Sequence, residues 1–191
     1  MDLEHYKDVL SRAGVTFEQG LSSQEIQRIE EEYAFRFPPD LKAFLKFALP
    51  ISHGFVNWRT DDEDSIVKSL LWPYIGICFD IAHNSFWLKE WGERPASVED
   101  AYAIARKAVD DAPTLIPINF HRYIPDRPRK SGNPVFSVFQ TDIIYYGANL
   151  GDHIENEFSF HFGRSDTNPT GEIREIEFWS QFAENRMEHS L

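Results

Sequence analysis

The chain has 191 residues and a mass of 22.3 kDa, a length typical of one domain and enough to build its own core. Its 42% hydrophobic, 26% charged and 15% aromatic content argues against disorder, collagen or coiled coil. With 31 acids against 19 Lys and Arg the formal charge is −12, which repels phosphate, argues against a general nucleic-acid binder and favours a basic partner.

Charge is uneven along the chain. Residues 1–64 carry 13 acids and 7 bases, residues 65–151 carry 9 of each, and residues 152–191 carry 9 and 3. Cys78 is the single cysteine, so no intrachain disulfide and no cysteine-rich zinc site is expected. The first residues, Met-Asp-Leu-Glu-His, lack the basic and apolar parts of a signal peptide. The nearly apolar run Leu70–Phe79 is interrupted by Pro73 and reads as far short of the ~20 residues of a membrane span. A cytoplasmic protein with no membrane partner is the expectation.

In chain order, Leu3, Tyr6 and Leu10 recur at helical spacing, and Gly14 marks a stop. Ser22 and Glu25 have capping-box spacing ahead of an Ile26, Ile29, Tyr33 stripe. Pro38-Pro39 launches a helix through Leu41, Phe44, Leu45 and Ala48 that ends by Pro50. Short aromatic and β-branched runs predict strands at Gly54–Trp58, Tyr74–Phe79, Ser85–Leu88, Leu115–Phe120, Pro134–Gln140 and Asp142–Tyr146. The last two are close enough to form a hairpin. Ser97 is an N-cap for a helix burying Ala101, Ile104, Ala105 and Ala108. Ile154 with Phe158, and Ile176 with Trp179 and Ala183, predict two more helices. Helices segregated from strands predict one α+β domain over residues 1–191.

The chemistry motifs are mostly absent. There is no glycine-rich phosphate loop, no His-Glu-x-x-His and no Gly-x-Ser-x-Gly. The seven histidines include no pair two, three or four residues apart, so no metal site is expected, nor any catalytic residue or cofactor. His161, between Phe160 and Phe162, reads as a polar position on one side of its segment. Asp80 and Asp142 read first as caps of turns beside strands and second as acid–base candidates. Arg122, next to His121 and Tyr123, is placed to clamp a carboxylate, with an internal partner favoured over a ligand.

Asp61, Asp62, Glu63 and Asp64 support two readings, a helix start stabilised by its dipole and the edge of an acidic docking face. With Trp58 as a nearby anchor they form the candidate partner-binding set. Most of the five tryptophans should be core, and Trp87 and Trp179 lie on apolar stripes that should be mainly buried.

The segment LSSQEIQRIEEEYAFRFPPDLKAFL (Leu21–Leu45) resembles the N-terminal signature of the SUKH superfamily, whose best-known branch is the fungal Smi/Knr cell-wall-assembly regulators. Phe55–Trp58 is similar to the following Asn-Trp segment. FDIAHNSFW (Phe79–Trp87) and WGERP (Trp91–Pro95) resemble the middle of bacterial members, and LIPINFHRYIP and GNPVFSVFQTDIIYYGANL their C-terminal half. The resemblance covers residues 21–160 and departs at Pro50–Gly54, where many relatives have Asn-Gly or Gly-Gly. It implies a bent mixed or antiparallel β-sheet flanked by N-terminal and C-terminal helices, with no catalytic residues. It also implies a non-enzymatic immunity protein that binds and neutralises a toxin, a basic nuclease or other toxin acting on nucleic acid. The alternative it implies is a regulator or scaffold of cell-wall (glucan) assembly or signalling.

Overall fold

A computed structural model describes residues 2–52, 54–159 and 169–188, so His161 lies outside the described residues. The N-terminal helices begin where side chains satisfy orphan backbone N–H groups. In α1 (Leu3–Arg12) the Asp2 carboxylate accepts from the His5 N–H at 3.1 Å. In α2 (Ser23–Glu32) the Ser22 hydroxyl accepts from the Glu25 N–H at 3.1 Å, and the Glu25 carboxylate accepts in return from the Ser22 N–H at 2.8 Å. Proline opens α3 (Pro39–Phe47), at a position where its missing N–H is no loss. Two three-residue strands, β1 (Phe17–Gln19) and β2 (Ala48–Pro50), pair antiparallel with Phe17 opposite Pro50. They are too short to show a period, and the sequence reading missed both.

The second sheet is the centre of the molecule. Its strands β3 (Leu115–Asn119), β4 (Arg122–Pro125), β5 (Val135–Phe139) and β6 (Asp142–Gly147) lie antiparallel in chain order. Two-residue turns close two hairpins, with Phe120 (φ 47°) and Gln140 (φ 56°) at their first turn positions. Both faces of the sheet are covered. Ile116, Ile118, Ile124 and Val135 join the core of α1, α2, α3 and α6 (Leu150–Phe158). Leu115, Tyr123, Phe136, Val138, Ile143 and Tyr145 join a core with α4 (Glu63–His83), α5 (Val98–Asp111) and α7 (Ser180–Glu188). This is an α+β fold with an antiparallel sheet between two helical layers.

Several expectations fail. Tyr74–Phe79 is not a strand but part of the 21-residue α4, whose buried Pro73, Gly76, Ile77, Asp80 and Ile81 follow the helical period. Trp72, Ile75 and Phe79 on its other side are also apolar, which made the run look continuous. By length and composition α4 is long and apolar enough to cross a membrane, contrary to the estimate from the interrupted run. Gly54–Trp58 is a loop carrying one bridge, Phe55 to Asn119. Ser85–Leu88 is an irregular segment leading into a 3₁₀ turn at Lys89–Trp91. Trp87 is only half-buried there and donates its indole N–H to the Gly92 carbonyl at 2.8 Å. The last helix starts at Ser180, later than expected, although Ile176, Trp179 and Ala183 are all buried.

Three contacts pin α4 to the sheet. Pro73 has no N–H, which leaves the Ser69 carbonyl without its helical partner, and the Tyr123 hydroxyl donates to that carbonyl at 3.0 Å. One turn on, a Cβ on Gly76 would lie 2.6 Å from the Gln140 Cα, so glycine permits the hairpin turn to sit against the helix. At the helix end, buried Asp80 accepts from the Thr141 N–H at 2.8 Å and hydroxyl at 2.6 Å. Asp80 therefore caps a turn as expected, but it does so from a helix and across the fold.

Candidate functional site

The acidic segment begins α4. Asp62 is the N-cap, accepting from the Ser65 N–H at 2.9 Å and hydroxyl at 2.8 Å, and these bonds hold its carboxyl below the usual range. Asp61 accepts from the Asn57 N–H at 2.9 Å, while Glu63 and Asp64 occupy the first helical turn. All four are exposed. The dipole-stabilised start is thus built, and its outer carboxylates still face solvent. Glu32, at the end of α2, belongs to the same neighbourhood: Tyr33 is pushed up by burial first and then by both Glu32 and Glu63.

Trp58 does not serve as the surface anchor proposed for it. It is 4% exposed and packs edge-on to Tyr33, Phe35 and Phe37 at ring separations of 5.3–6.3 Å. A tryptophan beside acids was read as an interface residue, but the aromatic run around Phe35 draws it into the core. Its neighbour Arg59 is a bridge the sequence did not suggest. It donates to Glu25 at 2.7 Å and Glu18 at 2.9 Å, and beside it the Glu25 carboxyl is held down to about 2.

A second acidic meeting point joins the two ends of the chain. Helix α1 packs on α6, His5 pairs with Glu155, and Tyr6 is pushed up by burial and then by Glu155, Asp2 and Asp152.

Arg122 finds internal partners, as favoured. Its guanidinium stacks 3.5 Å from the Tyr146 ring centroid, donates to the Ser137 hydroxyl at 2.9 Å and reaches Glu157 at 3.4 Å. Beside it His153 is fully buried, its Nε2 3.1 Å from the Asn119 Oδ1. Burial lowers the His153 pKa to about 4, so the imidazole is neutral. Asp142 is exposed at the start of β6. Among the described residues no three His, Cys, Asp or Glu side chains gather as a metal centre would require.

An apolar surface feature is absent from the sequence-based expectations. The exposed large apolar side chains of the described residues are Trp72, Ile75, Phe79, Phe120 and Phe139. Three lie on the outer stripe of α4 at i, i+3 and i+7; the other two stand at the ends of the two hairpins. Trp72, Phe120 and Phe139 line one open cleft of about 350 Å³, with Lys68, Ser69 and His121 at its walls and Tyr123 beneath. The i, i+3, i+7 spacing was available in the sequence, but reading the segment as a strand concealed it.

No protein-family model, curated protein or solved structure matches this chain.

Proposed function

We propose that this chain is a non-enzymatic, cytoplasmic protein-binding module of the SUKH type that neutralises a basic toxin, in particular one acting on nucleic acid, by occupying it. The observation that carries the reading is the cluster of exposed carboxylates where Asp61, Asp62, Glu63 and Asp64 open α4 and Glu32 closes α2. On a chain of net charge −12, such a cluster steers a basic surface toward one place. The resemblance over residues 21–160 supplies the class of partner.

The test is capture of partners from the native cell followed by binding kinetics with the purified pair. The association rate should fall steeply as salt rises through roughly 0.1 M, where the screening length is ~10 Å. Asp64→Lys should slow association more than it speeds release, because Asp64 makes no capping bond. An association rate indifferent to salt overturns the electrostatic reading. Capture of cell-wall or signalling proteins alone overturns immunity in favour of regulation.

A further inference from the structure

We infer that the apolar face formed by the outer stripe of α4 and the two hairpin ends is the interface through which two copies of this chain pair. This goes beyond the proposed function and does not depend on it. The face contains Trp72 (39% exposed), Ile75 (43%), Phe79 (45%), Phe120 (65%) and Phe139 (58%). At the areas typical of such side chains this leaves roughly 500 Å² of apolar surface in water, at the upper end for a monomer. It would fill most of the ~800 Å² each partner contributes to a standard interface, leaving room for a polar rim.

The charge of the face selects the occupant. No acid lines the cleft, and its one cation is Lys68, so a basic partner meets there neither attraction nor ion pairs. A second copy of a chain at −12 is repelled over most of its surface and less at the cleft, at whose edge Asp142 stands opposite Phe139. The stripe is also nearly symmetric about Ile75, with Trp72 three residues before and Phe79 four after. Two antiparallel α4 helices related by a two-fold axis near Ile75 place Trp72 of one copy over Phe79 of the other, as an isologous contact requires.

The face is presented rigidly. Ser69, Gly76 and Asp80 fasten α4 to Tyr123, Gln140 and Thr141, so little order has to be gained on pairing. Phe120 holds a positive φ of 47°, which disfavours a bulky side chain and would suit glycine or asparagine. The ring packs on Gly54, where a Cβ would lie 2.5 Å from its Cδ1, and still leaves Phe120 65% exposed for a partner to cover.

The test is light scattering and sedimentation of the full chain over roughly 1–100 μM, with Trp72→Glu and Phe79→Glu as variants. The wild type should become a dimer within that range, while both variants stay monomeric with the circular dichroism of the wild type and the thermal midpoint it has at the dilute, monomeric end of the range. Raising salt should strengthen the dimer by screening the mutual repulsion, opposite to its effect on a steered basic partner. In a Cys78→Ser background, Ile75→Cys should give a disulfide-linked dimer on mild oxidation. A wild type that remains monomeric throughout overturns the inference. So does a dimer indifferent to both glutamate variants, or a monomer that instead binds phosphatidylcholine vesicles through these residues.

Discussion

On its inner side α4 carries Pro73, Gly76 and Asp80, each fitted to a particular atom of the sheet; on its outer side it carries Trp72, Ile75 and Phe79 in water. Ile66, Ile77 and Ile81 are buried on the inner side as well, so bulky apolar groups stand on both sides while a carboxylate is inside. Burial alone accounts for the isoleucines but not for Asp80 or the outer rings, because a carboxylate loses solvation when it leaves water and an exposed ring gains nothing. The inner side is understandable through its hydrogen bonds and close approach. The outer side has no such match to the sheet, and its exposed rings are what the proposed pairing would cover.

The sharpest comparison uses one residue type in two places. Trp179, 1% exposed with its indole N–H donating to the Pro113 carbonyl at 2.6 Å, should lose ~3–5 kcal/mol of stability on replacement by alanine. Trp72→Ala should change the urea midpoint by less than ~1 kcal/mol equivalent in the monomer. Equal losses would mean that the outer stripe is core.

Next is Asp80→Ala, which strands the Thr141 N–H and hydroxyl at the hairpin turn. It should cost about 3 kcal/mol by chemical denaturation. Acid should find its weak point on the far side of the sheet instead. His153 is depressed to about 4 against 6.5 unfolded, so between those values the unfolded chain binds the extra proton. Stability from this group therefore falls as pH drops from about 6.5 to 4, by up to about 3 kcal/mol, since one pKa unit is about 1.4 kcal/mol. A His153→Gln variant that keeps the same slope of stability against pH over that window would remove His153 from the account.

Gly76→Ala drives a methyl to 2.6 Å from a backbone atom and should cost about 1–3 kcal/mol by separating α4 from the hairpin. Of the contacts that pin α4 to the sheet the smallest effect is that of Tyr123→Phe, which leaves the Ser69 carbonyl unpaired at about 1–2 kcal/mol; no loss at all would show that the helix tolerates Pro73 without help.

Local signals were legible where one side chain answers to its own segment. Ser22 with Glu25, Ser97 capping Asp100 and the two-residue turn joining β5 to β6 all act within a few residues, so spacing alone determined them. The acids of 61–64 were legible for the same reason, since a helix start is stabilised by what lies in its first turn. Tertiary structure decided the rest. Whether Leu70–Phe79 was strand or helix turned on Gly76 and Asp80 meeting a hairpin some 60 residues later. Trp58 became core through aromatic neighbours distant in sequence, while Trp72 was left on the outer side of α4. An apolar residue has the same sequence signal whether it faces a core or a partner, because hydrophobicity has no direction until the elements are packed.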